Sequence, residues 1–363
     1  MKTFNMIIAA LLLLSFGCDD EYIDDIQHVD PGSDEESPEV MIDYPLEGTM
    51  IRVTEDVTPI NIQFEVTDDI EIQSITVSLD GSEIATFDSF IDYRRAIEEF
   101  TYENLTNGQH TLTIVATDIN GKSTTSSVNF EKVPPYNPEY DGEIFYMPFD
   151  GDYMELVSIT EATTVGNPGF AGESVEGLNA YAGATGSYLT LPTTGLLNNE
   201  ISASFWYKIN ADPTRAGILV IGPPDPDNPN SQNDRTEGFR FFREGGPTNQ
   251  IFKLNVGNGD GENWFDGGAA ASIDPTTNTG WVHMAFTISE AACAVYINGE
   301  VVSQGSFPGI SWAECDIISI ASGAPRFTGF NHLSDLSFID ELRIFNKALT
   351  ASEIQEIMAN EQP

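Results

Sequence analysis

Ile60-Asn61-Ile62-Gln63-Phe64-Glu65-Val66 alternates apolar and polar residues without a break. A strand points successive side chains to opposite faces, so this run presents one face to a core and the other to water. Ile75, Val77 and Leu79 repeat the pattern and end on Asp80-Gly81. Leu112, Ile114 and Ala116 repeat it again, followed by Asn120-Gly121. Both dipeptides accept positive φ at little cost, which marks hairpin turns. The pattern holds from Pro38 to Val133, and about seven short strands over that length predict a β-sandwich. The segment clusters no catalytic residue types, and His110, at a strand start, reads as structural.

Working outward, the chain has 363 residues with 15 Lys+Arg against 57 Asp+Glu, a net charge of −42. That balance excludes ordinary nucleic-acid binding, since little is available to neutralise phosphates. It also argues against electrostatic docking on anionic lipid. The 31 Gly, 20 Pro and 10% aromatic residues suit a turn-rich β protein long enough for two or three domains.

Lys2 precedes an apolar run, Met6 to Leu14, too short to span a bilayer and matched to a signal peptide. The run closes on Leu14-Ser15-Phe16-Gly17-Cys18, which resembles a bacterial lipobox, with Phe16 bulkier than usual. The resemblance implies a signal peptide over 1–17, lipidation of Cys18 and a lipid anchor as the only membrane attachment. Asp19-Asp20-Glu21 resembles the acidic surface-export signal of Bacteroidetes-type lipoproteins; a plain solvated linker is the alternative. Residues 18–37 read as an acidic flexible tether. The expected location is the outer membrane, exposed at the cell surface.

Leu105-Thr106-Asn107-Gly108-Gln109-His110-Thr111-Leu112, with Ala116-Thr117-Asp118 and Gly121, resembles bacterial immunoglobulin-like modules. The resemblance assigns 38–133 to an Ig-like sandwich, usually a spacer. Pro134-Pro135-Tyr136-Asn137-Pro138 opens a stiff linker over 134–142.

Five further blocks follow in order: Ile144-Phe145-Tyr146-Met147-Pro148-Phe149-Asp150-Gly151, Ile201-Ser202-Ala203-Ser204-Phe205-Trp206-Tyr207-Lys208, Trp281-Val282-His283-Met284-Ala285-Phe286-Thr287, Val295-Tyr296-Ile297-Asn298-Gly299 and Ile339-Asp340-Glu341-Leu342-Arg343-Ile344-Phe345. Their order and spacing resemble the laminin-G-like, concanavalin A-like jelly roll. The resemblance implies two packed antiparallel sheets over 143–363. Thr350-Ala351-Ser352-Glu353 before Ile354 and Ile357 is a capping box, which predicts a short C-terminal packing helix. The whole chain is expected to be all-β apart from that helix.

Glucanases of this superfamily carry Glu-x-Asp-x-x-Glu on one strand, aligning carboxylates in a cleft. Glu139-Tyr140-Asp141-Gly142-Glu143 has the wrong spacing, and Glu314-Cys315-Asp316 lacks the second Glu. No zinc or Gly-x-Ser-x-Gly pattern occurs. A non-catalytic protein is expected, although acidic residues are numerous enough to leave a noncontiguous pair open. By resemblance, Asp150 and Asp340 stand where related jelly rolls hold a structural Ca²⁺; local turn capping is the alternative. Cys293 and Cys315 are expected to form a disulfide worth roughly 3 kcal/mol, the alternative being two buried thiols.

The sugar-binding case rests on loops. Asn258-Gly259-Asp260-Gly261-Glu262-Asn263-Trp264-Phe265-Asp266 sets an indole among amides and carboxylates, the mixture that sugar faces and hydroxyls require. Arg326-Phe327-Thr328-Gly329-Phe330-Asn331-His332 repeats it. The candidate ligand residues are Asn258, Asp260, Trp264, Asp266, Trp312, Arg326, Phe327, Asn331 and His332, with Arg240 and Arg243 beside them. Trp206 and Trp281 read as core, and Phe327 and Phe330 could equally plug the loop base. The Asn/Asp/Pro-rich stretch Gly222 to Gly246 reads as a long loop rimming a ligand cleft. The reading that follows is a surface lipoprotein that captures a polysaccharide or oligosaccharide, by resemblance beside a TonB-dependent importer complex. A protein–protein adhesion module is the alternative, and a glycoside hydrolase the third. Overall acidity disfavours anionic polysaccharides but leaves calcium-bridged ones open.

Overall fold

The computed structural model describes residues 32–362. The expected signal peptide, Cys18 lipidation site and most of the tether lie outside the described residues. The chain forms two compact units, with Val57–Lys132 in the first and Val133 onward in the second.

In the first unit the alternating runs become two antiparallel sheets. One has the order Glu39–Tyr44, Val57–Thr67, Arg95–Thr106. The other has the order Met50–Arg52, Ser123–Val133, Gly108–Asp118, Ile72–Leu79, Ser82–Phe87. Ile60, Ile62, Phe64 and Val66 share a core with Ile75, Val77, Leu79, Leu112, Ile114 and Ala116. Leu79 pairs with Ser82 across Asp80 (φ 52°) and Gly81 (φ 78°), so both central turn residues take the left-handed region. His110 is buried, with Nδ1 2.7 Å from Asp80 Oδ2 and Nε2 2.7 Å from the Thr106 carbonyl.

The second unit is a jelly roll of two eight-stranded sheets. Its front sheet has the order Thr163–Val165, Tyr188–Pro192, Ile317–Ile320, Arg215–Ile221, Phe239–Gly246, Asn249–Gly257, Glu262–Asp266, with Ser272–Ile273 beside Asn249–Gly257. Its back sheet has the order Gly169–Phe170, Tyr181–Ala182, Phe338–Phe345, Ile201–Lys208, Val282–Ile288, Ala292–Ile297, Glu300–Ser306, with Glu143–Met147 beside Phe338–Phe345. Neighbours far apart in sequence, such as Ile201–Lys208 against Phe338–Phe345, are what the apolar blocks built. Both faces of Ile201–Lys208 are buried: Ile201, Ala203, Phe205 and Tyr207 join the inter-sheet core, while Ser202 donates to the Lys347 carbonyl and Trp206 Nε1–H to Glu361, which flank helix α1, Ala351–Asn360. Trp206 can therefore stand on the face opposite the core, where the first unit's strands place polar residues. Thr350 caps α1: Oγ1 accepts from Glu353 N–H at 3.3 Å, and Glu353 Oε2 accepts from Thr350 N–H at 2.7 Å.

Two expectations are corrected. Cys293 and Cys315 are buried free thiols. Cys293 sits on Ala292–Ile297 of the back sheet, whereas Cys315 precedes Ile317–Ile320 of the front sheet. The stretch Gly222 to Gly246 is not all loop, because Phe239–Gly246 is a front-sheet strand, buried over its first five residues, whose apolar pattern is broken by Arg240 on its outer face and Arg243 on its core face.

Candidate functional site

Alternation along three front-sheet strands sorts the site from the core. Phe239, Phe241, Phe252, Leu254, Val256 and Phe265 point into the inter-sheet core. Their neighbours point out: Phe242 pairs with Lys253, Lys253 with Asp266, and Asn255 with Trp264. Phe242 forms a small buried cluster with Val220 and Phe327. The Trp264 ring stands edge-on to Phe242 at 5.9 Å and stays 46% exposed. Phe330 is exposed to the same extent, 46%.

Arg235 joins these two rings. Its guanidinium carbon lies 5.8 Å from the Trp264 ring centre and 5.5 Å from that of Phe330. Nε and Nη2 donate to the two Glu262 oxygens at 2.5 and 3.0 Å, a bidentate pair. Asn255 Nδ2 donates to Glu262 Oε2 at 2.9 Å. Burial raises the Glu262 carboxyl, but the hydrogen bonds from Arg235 and Asn255 outweigh it and hold the group below the usual range. Asn233, Asp234, Arg235, Thr236, Gly261 and Glu262 line a cleft of about 320 Å³.

The two loops carrying Arg235 and Phe330 are fastened to each other. Asp225, nearly buried, accepts from Asn228 N–H at 3.1 Å and Asn233 N–H at 3.4 Å, closing the first loop on itself. The Gln232 carbonyl then accepts from Thr328 and Gly329 N–H at 2.8 and 3.0 Å. Gly329 is required there, since a Cβ would fall 2.9 Å from Asn233 Cβ. The rings and guanidinium are therefore held in place before any ligand arrives.

The structure brings Trp264, Asp266, Phe327 and His332 to one face but uses them differently. Phe327 and His332 are buried and stack on each other at 4.8 Å and 9°, so the expectation that they touch ligand is corrected: they are the floor beneath Phe242. Burial lowers the His332 imidazole to about 4, partly offset by Glu244 at 3.2 Å. Trp312 is partly buried, donating Nε1–H to the Asn198 carbonyl at 2.9 Å and packing edge-on against Phe239. Asp266 accepts from Lys253 at 2.7 Å, and Arg326 pairs with Asp316 at 2.6 Å. Asn258 Oδ1 accepts from Asp260 and Gly261 N–H and builds the turn, leaving the Asp260 side chain exposed. Asn331 is exposed, at φ 62° in its own turn. Arg240 and Arg243 are wholly buried.

Sequence reasoning missed Arg235 and Asn255 as site members and left Phe330 open between ligand contact and a plug at the loop base. One signal was present: Glu262, Trp264 and Asp266 are spaced by two, which puts them on one strand face.

At the other predicted position, Asp150 Oδ1 accepts from Leu178 and Asn179 N–H at 2.6 and 3.0 Å, and Asp340 Oδ2 from Val175 N–H at 2.6 Å. Both carboxylates thus grip one segment. Asp340 Oδ1 is buried with no hydrogen-bond partner, and burial, aided by the Asp150 charge, pushes the Asp340 carboxyl up to about 7. An orphaned anionic oxygen beside a second carboxylate fits a calcium ion. Among the described residues no three His, Cys, Asp or Glu converge, so carbonyls and water would have to complete the shell.

Residues 183–355 match the family model of the concanavalin A-like lectin/glucanases superfamily, and residues 38–114 match that of the bacterial Ig domain. No curated protein matches the chain. Among solved structures it is similar to domain 4 of AbnA, a GH43 extracellular arabinanase from Geobacillus stearothermophilus, in complex with arabinotriose. That likeness has 22% identity and a TM-score of 0.44, over 60% of this chain and 98% of that one. It is also similar to the binding domain of botulinum neurotoxin DC in complex with SialylT, with 16% identity and a TM-score of 0.43, over 61% of this chain and 52% of that one. The same toxin domain in complex with rat synaptotagmin II gives 15% identity and a TM-score of 0.44, again over 61% and 52%. The chain spans about half the length of those toxin domains. Its fold is an immunoglobulin-like sandwich followed by a concanavalin A-like jelly roll.

Proposed function

We propose that this is a non-catalytic glycan-binding protein that captures a polysaccharide through the outer face of its front sheet. The observation that carries the reading is the exposed pair Trp264 and Phe330, set about the guanidinium of Arg235, which Glu262 fixes in place. Flat apolar rings receive the C–H faces of sugars, while exposed Asp260 and the loop backbone supply hydroxyl partners. A lectin/glucanase family match over this unit is consistent with that use. Glu262 suits holding rather than proton donation, because Arg235 and Asn255 keep it ionised.

The wider setting is part of the same proposal. The lipobox-like segment ending at Cys18 would anchor the protein at the outer membrane, facing outward, beside an importer that takes up the captured glycan. A Ca²⁺ ion held by Asp150 and Asp340 would brace the jelly roll, not the ligand. Weak single sites suffice, since a polymer offers many.

Affinity electrophoresis of the purified protein in gels containing different polysaccharides tests the reading. At least one polymer should retard it, without becoming shorter, and Trp264→Ala should abolish the retardation. Retardation by none would move the reading to a protein partner, and a shortened polymer would make the protein a hydrolase.

A further inference from the structure

The charges around Trp264 and Phe330 cancel pairwise. Arg235 gives Nε and Nη2 to Glu262, and its remaining nitrogen, Nη1, is buried. Lys253 Nζ lies 2.9 Å from Glu244 Oε1 and 2.7 Å from Asp266 Oδ2. Arg215 Nε approaches Glu244 at 3.8 Å, and Arg326 holds Asp316 at 2.6 Å. Arg240 is buried and donates to the Asp234 and Glu237 carbonyls. His332, also buried, stays neutral at neutral pH. Asp234, which lines the cleft, and exposed Asp260, next to the lining residue Gly261, add negative charge, and the Asp234 carboxylate accepts from the Thr236 N–H and hydroxyl.

A guanidinium between aromatic rings would ordinarily receive a carboxylate or sulfate. Here that position is already filled by a residue of the same chain. Building on the glycan-binding reading above, we infer that Glu262 sets the charge class of the ligand: the face takes uncharged glycans and rejects uronic, sialylated or sulfated ones. Arg235 then serves as a flat, charge-neutralised extension of the two rings. An anionic polymer would have to displace Glu262 or sit against Asp234 and Asp260, and both routes cost affinity.

The test runs the protein in gels of neutral arabinan, xyloglucan, mannan and mixed-linkage glucan. Each is set beside its carboxymethylated form, in chelator, at low and high salt. Retardation by a neutral polymer, weakened roughly threefold or more by carboxymethylation and partly restored by salt, is the expected result. Glu262→Gln should narrow the neutral-to-anionic ratio by roughly two- to fivefold, because Arg235 is then uncompensated. Asp260→Asn, on an exposed side chain, should move the ratio the same way by less and serves if Glu262→Gln does not fold. Tighter binding of the carboxymethylated polymer, or a ratio unmoved in folded variants, overturns the charge assignment while leaving glycan binding intact. Retardation by no polymer removes the glycan reading itself.

Discussion

Arg243 and Asp335 form an ion pair at 2.7 Å with neither side chain exposed to solvent. The arginine also donates to the Tyr207 hydroxyl at 2.8 Å, the Pro213 carbonyl at 2.8 Å and Gln250 Oε1 at 2.6 Å. It therefore ties a front-sheet strand to a back-sheet strand through the core. Asp335→Ala leaves a buried guanidinium without its counterion, which should cost about 3–5 kcal/mol in urea unfolding. A loss below about 1 kcal/mol would show that the pair is not closed to water as described.

Trp264 and Phe327 lie in adjoining clusters but should respond oppositely. Phe327→Ala removes a fully buried ring and should cost about 3–5 kcal/mol of stability. Trp264→Ala removes a half-exposed ring and should cost about 1 kcal/mol or less, the value of one edge-on aromatic contact. Thermal melts of both variants check the contrast. A large loss for Trp264→Ala would make that indole part of the core.

Calcium should stabilise the second unit through Asp150 and Asp340. At a calcium concentration roughly 100 times the Kd, mass action adds about 2.7 kcal/mol. The melting temperature should rise with calcium, return with chelator, and lose this response in Asp340→Asn. A wild-type melt indifferent to calcium would sink the assignment.

Stability should also fall as the pH rises from acid to neutral because of Glu361. Burial pushes its carboxyl up to about 7, against Arg343 Nε at 2.7 Å and Trp206 Nε1 at 2.9 Å, which favour the charged form. Glu143 and Glu341 share Arg343 with it, at 2.8 and 3.1 Å, so one guanidinium serves three buried carboxyls. A folded-state pKa above the ordinary 4.5 means that the contribution is complete below 4.5 and fades as pH rises through about 7. Glu353 acts in the opposite sense: Lys347 and the cap hold it at about 2, so its contribution is present above 4.5 and lost only as pH falls through about 2. Urea midpoints between pH 5 and 8 should decline, and Glu361→Gln should flatten the decline. An unchanged slope in that variant would assign the effect to other groups.

Strand periodicity was legible because it is local. Ile60 to Val66 could only be a half-buried strand, Asp80-Gly81 only a tight turn, and Thr350 to Glu353 only a helix start, since each depends on residues within a turn's reach. Phe239–Gly246 hid among Asn, Asp and Pro residues because Arg240 on its outer face and Arg243 on its core face broke the apolar pattern.

By itself, then, the sequence determined two β-sandwiches, their order and the closing helix, whereas it read as loop the segment around Trp264, of which Glu262–Asp266 is a front-sheet strand. Only the tertiary structure decided which aromatic meets solvent. Trp264, Trp312, Phe327 and Phe330 all sit among polar residues, and no local rule separates them. Phe327 is covered by Phe242 and His332, and Trp312 partly by Phe239 and the Asn198 carbonyl, while Trp264 and Phe330 are left open with Arg235 between them. Burial depends on which distant strand or loop lies overhead, and that is set when the sheets pack together.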